Sequence, residues 1–329
     1  MIPGPAAPRA VVVAKTGGPE VLELEERDPG PPGPGQVRVR IAAAGVNFID
    51  VYFRTGAYPR PLPFVAGLEG AGQIEAVSPD VAGLAVGDRV AWATAPGSYA
   101  DIVVAPASSL VRVPAAVPDE IAAAAMLQGM TAHYLVHAIR KPAPGAWVLV
   151  HAAAGGTGLL LVQMLRAAKV HVVATCGSAE KVTLARDAGA DEVVRYDTSD
   201  FVAAARAATE GRGVDVVYDG VGRATFEGSL ASLRPRGLLV LFGAASGPVP
   251  PFDLQRLSAS GSLVVTRPAL AHFIATRAEL EERAGDVFGA IEAGKLAVRI
   301  GARFPLARAA DAHRALEGRE TTGKVLLIP

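Results

Sequence analysis

Cysteine is almost missing from this chain: Cys176 is the only one in 329 residues. A lone thiol excludes an intramolecular disulfide and any zinc site built from several cysteines. Net charge is missing as well, because Lys plus Arg and Asp plus Glu number 32 each and charged residues make up only 19% of the chain. Without a field of one sign, nucleic acid and anionic membrane surfaces are poor partners, and small-molecule chemistry is the better expectation. No uninterrupted apolar run is long enough to span a bilayer, and Met1-Ile2-Pro3-Gly4-Pro5 shows no basic segment leading into an apolar core. A soluble, cytoplasmic protein is therefore expected. Internal repeats are lacking too.

Half of the residues are hydrophobic, and the length favours about two domains around large cores. The most informative stretch is Ala152-Ala153-Ala154-Gly155-Gly156-Thr157-Gly158, set between the apolar run Trp147-Val148-Leu149-Val150-His151 and the helix-like residues Leu159 to Leu165. A strand that turns sharply into a helix leaves the first helical N–H groups unpaired at the positive end of the dipole, where a pyrophosphate fits. A side chain at Gly155 or Gly156 would block the phosphates, and one at Gly158 would hold the helix off the sheet. In a chain with 36 glycines an ordinary strand-to-helix turn is the competing reading. The neighbouring sequence tips the balance. Short apolar segments at 170–174, 214–218, 238–242 and 263–265 alternate with helix-like stretches such as Ala179 to Ala188 and Phe201 to Thr209. That is the order of a doubly wound parallel sheet, so the loop predicts a dinucleotide.

The flanks have another character. A turn-rich break from Gly30 to Gly35 precedes Gln36-Val37-Arg38-Val39-Arg40-Ile41, which alternates like a half-buried strand. Further strand candidates at 72–77, 88–93 and 99–104 suggest an antiparallel, barrel-like domain up to about residue 115. From Asp119-Glu120 onward, Ala-rich helical sequence leads through Met130-Thr131-Ala132-His133-Tyr134 into the alternating region, which ends near Arg267-Pro268. Beyond it, 278–293 and 309–316 have the spacing of amphipathic helices, and Lys324-Val325-Leu326-Leu327-Ile328 reads as a closing strand.

Several motifs now stand in one order: Ala44-Gly45-Val46-Asn47-Phe48-Ile49-Asp50, Arg54-Thr55-Gly56-Ala57-Tyr58-Pro59, Gly67-Leu68-Glu69-Gly70-Ala71-Gly72, Leu127-Gln128-Gly129-Met130-Thr131-Ala132, the 151–158 loop, and Phe242-Gly243-Ala244-Ala245-Ser246-Gly247. Over nearly its whole length the chain resembles the quinone oxidoreductases of the medium-chain dehydrogenase/reductase superfamily, the zinc-independent branch that includes the zeta-crystallins. The resemblance implies an α/β fold with a GroES-like β-barrel catalytic domain from residues 1–125 and 267–329. Between those segments, residues 126–266 would form a Rossmann doubly wound parallel sheet that binds NADPH. Where zinc alcohol dehydrogenases of the superfamily have Gly-His-Glu, this chain reads Gly67-Leu68-Glu69, and their early cysteine ligand is matched by Asn47 or its neighbours. Leucine cannot ligate, so zinc catalysis is not expected. A quinone or conjugated enone accepts hydride without a Lewis acid, whereas alcohol oxidation loses its main charge stabilisation.

An NAD-preferring fold usually ends its second strand in Asp or Glu, about twenty residues after the glycine loop, as a partner for the ribose 2′-OH. Here that place reads Thr175-Cys176-Gly177-Ser178, with Lys181 following in the first helical turn and Ser178 as cap. A cation there opposes the helix dipole by roughly 0.3–1 kcal/mol unless an anion binds nearby. The pattern favours NADPH; an ordinary surface lysine is the alternative. By resemblance, Tyr196 lies near the adenosine phosphate and Arg319 aligns with an arginine used at the cofactor, a solvated charge being the other reading of Arg319. Phe242 and Ser246 fall just past the carboxyl end of a Rossmann strand, where such sheets bind ligands.

Hydride transfer needs orientation first and a proton source second. The resemblance puts Asn47 and Tyr52 beside the nicotinamide, with Tyr58 and Thr131 close by. Asn47 brings a donor and an acceptor, Tyr52 an O–H. Capping a helix is the other reading of Asn47, and core packing that of Tyr52 and Tyr58. His133 and His137 read as surface or packing residues, since the glutamate of a zinc-protease motif is missing. The leading expectation is NADPH-dependent quinone reduction, with reduction of an enone or alkenal double bond as the alternative. A nucleotide- or RNA-binding zeta-crystallin-like role is a third reading, against which the zero net charge speaks. A homodimer is expected through Leu263-Val264-Val265-Thr266, because an uncovered apolar edge strand invites pairing.

Overall fold

The computed structural model describes residues 7–329, so the Met1-Ile2-Pro3-Gly4-Pro5 segment lies outside the described residues. The chain divides into two units, Met1–Leu127 with Ile274–Pro329, and Gln128–Phe273.

The first unit is built around the strand Gln36–Val46, which pairs antiparallel with Glu69–Val77, Ile102–Pro106 and Lys324–Ile328. Arg89–Trp92 and Val111–Arg112 continue the sheet on one side, and Ile300–Pro305 lies parallel to Lys324–Ile328 on the other. A second, three-stranded sheet runs Leu22–Glu26, Arg9–Val13, Phe64–Val65. The period-two pattern explains the central strand: Val37, Val39 and Ile41 are buried, while Arg38 and Arg40 reach Glu75 on the other face. Register shifts between Arg38 and Val39 and between Ile41 and Ala43 bend it. Val11, Val13, Ile74, Trp92, Tyr99, Leu110 and Leu327 are each at most 1% exposed and form the core. Each such side chain contributes roughly 1.5–3 kcal/mol of burial.

The second unit is a six-stranded, wholly parallel sheet in the order Glu192–Arg195, His171–Cys176, Trp147–Val150, Val214–Asp219, Leu233–Leu241, Val264–Thr266. By sequence these are strands three, two, one, four, five and six of the unit. The order reverses between the first and the fourth, and in such sheets ligands bind beyond the carboxyl ends of the strands at that point. Val148, Leu149, Val150, Val172, Val173 and Ala174 are all 0% exposed, as expected of parallel strands covered on both faces. Val264–Thr266 is one of the two edge strands and, among the described residues, pairs on one side alone. No described helix is long and apolar enough to cross a membrane.

Candidate active site

The glycine loop leaves the Trp147–Val150 strand through Ala152, held at φ 51, and enters the helix Gly156–Ala167 with Gly155 as its extended N-cap. Two backbone bonds fix the turn: Ala153 N donates to Thr175 O at 3.1 Å and Gly155 N to Ala152 O at 2.9 Å. No side chain caps the helix, so its first N–H groups are left to a ligand or water. The glycines divide the work differently from the sequence-based expectation. A Cβ at Gly158 would strike the Ala152–Ala153 backbone, which is the close helix–strand packing expected, but a Cβ at Gly156 would fall inside the Gln128 amide. Gly155 has only Ala152 O, 3.2 Å away, near its missing side chain, and so carries the open face. Ala154 is buried, and the Cys176 thiol donates to Lys181 O at 3.4 Å; burial pushes that thiol up to about 11. Thr157 is half-buried in the first turn.

Beneath the loop lies a buried polar network that the sequence did not suggest. His151 Nε2 lies 3.0 Å from Ser229 Oγ and Nδ1 lies 2.9 Å from Thr175 Oγ1. Ser229 Oγ donates to Asp219 Oδ2 at 2.8 Å and Thr225 Oγ1 to the same oxygen at 2.7 Å, while Asp219 Oδ1 accepts from Val221 N and Gly222 N. Because Ser229 spends its proton on Asp219, His151 Nε2 donates to Ser229 Oγ, and a neutral ring then accepts at Nδ1 from the Thr175 hydroxyl. Burial lowers its pKa in the same sense. One histidine thereby ties together the carboxyl ends of strands one, two and four.

Gly177, Ser178, Lys181 and Tyr196 meet at the end of strand two. Ser178 Oγ accepts from Lys181 N at 3.4 Å and caps the helix Ala179–Ala188, and a Cβ at Gly177 would lie 2.5 Å from the Tyr196 hydroxyl. Tyr196 is 41% exposed, Lys181 is half-buried, and Glu180 shares the first turn. Phe242 and Ser246 follow strand five. Phe242 N donates to Asp219 O, and Ser246 Oγ donates to Val221 O at 2.8 Å while accepting from Ala224 N at 3.0 Å, so Ser246 fastens two turns together. Thr131 is buried in the helix Asp119–Tyr134.

In the first unit, Asn47 is the N-cap of the helix Phe48–Thr55, and Asp50 Oδ2 accepts from its backbone N–H at 2.9 Å. Its amide is also engaged: Nδ2 donates to Glu69 Oε2 at 2.7 Å and Oδ1 accepts from Lys324 Nζ at 2.7 Å. Lys324 forms an ion pair with Glu69, whose other oxygen accepts from Leu127 N at 2.7 Å. Burial lowers the Lys324 pKa against the pull of Glu69. Asn47 is thus a helix cap, as one of its two readings had it, and its side chain is part of a buried charge cluster. A chain of bonds continues from Asp50: Tyr99 Oη donates to Asp50 Oδ2 at 3.0 Å and lies 3.1 Å from His313 Nε2, and His313 Nδ1 lies 3.1 Å from Arg54 Nη1. Arg54 grips Glu317 with two bonds of 2.8 and 2.9 Å. Burial raises Asp50 to about 7 and depresses His313 to about 3.

Tyr52 and Tyr58 pack at 5.1 Å between ring centroids, and Tyr58 N donates to Tyr52 O at 3.0 Å. Tyr58 is 37% exposed, so this pair borders open space. Arg319 follows the helix Ala309–Glu317 in the left-handed region at φ 59. Sequence reasoning passed over Glu69, Lys324, Asp50, Tyr99 and His313; a lysine heading an apolar strand was the one local sign of them. Among the described residues, no group of three His, Cys, Asp or Glu is placed to hold a metal ion.

Residues 33–115 match the family described as alcohol dehydrogenase GroES-like domain, and residues 156–282 the family described as zinc-binding dehydrogenase. Together with the order of the parallel sheet, they define a medium-chain dehydrogenase/reductase fold. A quinone oxidoreductase from Pseudomonas aeruginosa is 46% identical over 98% of this chain and 99% of its own length. A 2-haloacrylate reductase from a Burkholderia species is 43% identical over 97% of this chain and 98% of its own. The crystal structure of Escherichia coli quinone oxidoreductase complexed with NADPH superposes with a TM-score of 0.96 at 41% identity, covering 98% of this chain and 100% of that one. The chain belongs to the quinone oxidoreductase family of the medium-chain dehydrogenase/reductase superfamily.

Proposed function

We propose that this protein is an NADPH-dependent quinone reductase that works without zinc. The observation that carries the reading is the grouping of Gly177, Ser178, Lys181 and Tyr196 at the end of strand two, beside the strand that feeds the Gly155 turn. NADPH fits these residues. The uncapped N–H groups of Gly156, Thr157 and Gly158 suit a pyrophosphate at the open face of Gly155, and Lys181 with the Ser178 and Tyr196 hydroxyls suits a 2′-phosphate. Phe242 and Arg319 belong to the same cofactor set by kinship. When bound, NADPH supplies hydride.

The chain's own residues orient and polarise the acceptor. Tyr52 donates its O–H to the acceptor carbonyl, and Tyr58 packs against Tyr52 to hold that ring. Asn47, gripped by Glu69 and Lys324, fixes the start of the helix that carries Tyr52. Zinc does not fit. Leu68 cannot ligate, and the Lys324 ammonium beside Asn47 and Glu69 repels a dication. Full turnover of 1,4-naphthoquinone with NADPH in a chelator, by protein free of bound metal in elemental analysis, is the expected result; activity that follows added zinc overturns the reading.

The relative named 2-haloacrylate reductase favours a second reading, reduction of an activated alkene by the same residues. A panel of naphthoquinone, benzoquinone and medium-chain alkenals separates the two, faster quinone turnover supporting the first. A homodimer through Val264–Thr266 is part of the proposal, because that edge is open and Val264 is 43% exposed. Sedimentation at one chain per particle refutes it.

A further inference from the structure

The three-stranded sheet of the first unit borders a cavity of about 190 Å³ that the redox reading leaves unused. Its wall is apolar, with Val65, Ala100, Ile102 and Val103, and two guanidinium groups, Arg27 and Arg60, complete it. Arg60 is half-buried, with Cζ 4.6 Å from the Phe64 ring centroid and 5.4 Å from that of Phe53. It forms no ion pair or hydrogen bond through its guanidinium among the described residues, and burial lowers its pKa. A guanidinium held over ring faces keeps its N–H donors in its own plane, ready for a carboxylate fork. Arg27 has Glu25 at 4.0 Å, both side chains near half exposed, a contact worth little.

We propose that this cavity binds a small organic monocarboxylate, its apolar body against Val65, Ile102 and Val103 and its charge met by Arg60 and Arg27. The volume lies below the roughly 300–1,000 Å³ of sites for drug-sized molecules, which limits the ligand to one ring or a short chain. The wall argues for a carbon body, since inorganic phosphate would leave the apolar surface uncovered. An anion also compensates a cation that the protein has partly desolvated.

Calorimetric titration of the full-length protein with sodium benzoate, benzamide and inorganic phosphate tests the proposal. Benzoate is expected to bind at one site, with benzamide and phosphate each at least about tenfold weaker, the loss of a charge-assisted bond. Arg60→Gln and, separately, the exposed Arg27→Gln should each weaken benzoate by about fivefold or more, thermal melting confirming that both variants are folded. Equal binding of benzoate and benzamide, tighter binding of phosphate, unchanged affinity in both variants, or no saturable benzoate binding overturns it.

Discussion

Lys324 and Glu69 pair with side chains 1% and 0% exposed, although 255 positions separate them in sequence. Two charges so far from water are held by each other, by Asn47 and by Leu127 N, and removing one leaves the other uncompensated. Lys324→Met is expected to cost about 3–5 kcal/mol in urea unfolding, and Glu69→Gln a similar amount. The double variant should be less damaged than the sum of the singles. Strict additivity would mean that the two groups do not act as a pair.

Lys181 should separate the two nicotinamide cofactors. In Lys181→Ala, NADPH binding followed by fluorescence is expected to weaken by about tenfold to a hundredfold, because a charge-assisted bond is worth ~1.5–3 kcal/mol, while NADH binding barely changes. Equal losses for both would remove Lys181 from the 2′-phosphate site.

Asp50 gives a pH dependence of definite sign. Burial raises its folded pKa to about 7 from the ordinary 3.8 of an exposed carboxyl, so between those limits the folded protein holds a proton that the unfolded chain has released. Stability from this group therefore falls as pH rises from about 4 to 7. His313, depressed to about 3, acts in the opposite sense from about pH 3 to 6.5 and masks part of the trend in the wild type. Asp50→Asn keeps acceptors for Asn47 N and Tyr99 Oη, so its stability relative to wild type should be greater at pH 7.5 than at pH 4.5. A pH-independent difference in urea unfolding would show that Asp50 ionises like an ordinary carboxylate.

Tyr52→Phe removes one hydroxyl and keeps the ring packed on Tyr58. A neutral hydrogen bond is worth about 0.5–1.5 kcal/mol, so kcat/KM for quinones should fall about two- to tenfold. Unchanged turnover across quinones and enones would take Tyr52 out of acceptor binding.

His151 acts only through the turns that it ties together. Its Nε2–H and Nδ1 serve Ser229 and Thr175, and His151→Phe would leave both hydroxyls and Asp219 to reorganise. NADPH affinity should drop several-fold in stopped-flow binding, with His151→Gln recovering part of it. Equal affinities in wild type and His151→Phe would make the network irrelevant to the loop above it.

The Rossmann-like unit is legible in the sequence because strands buried on both faces read as unbroken apolar runs with helices between them. Glu192–Arg195 escapes this test: it is four residues long, with charges at both ends. Leu233–Leu241 reads as shorter than it is because Pro235 and two arginines sit in its first half. Arg9–Val13 and Leu22–Glu26 give little warning, the second being exposed except at Leu22. The glycine loop and its partner segment at 177–181 are visible because phosphate chemistry is local, confined to one turn and one helix start. The Glu69–Lys324–Asn47 cluster is not local, and no window of sequence brings its members together. Gly45 shows the same limit: a Cβ there would strike Glu69 and Lys324, and nothing in the residues on either side of it announces that contact.

The closing strand Lys324–Ile328 has a consequence for biosynthesis. The parallel sheet is contiguous within Gln128–Phe273 and leaves the ribosome whole before Lys324 has been made. The other unit cannot finish so early. Its central strand, Gln36–Val46, waits through most of translation for the neighbour that brings the ammonium to Glu69, so the nascent chain carries a finished nucleotide fold beside a half-built barrel.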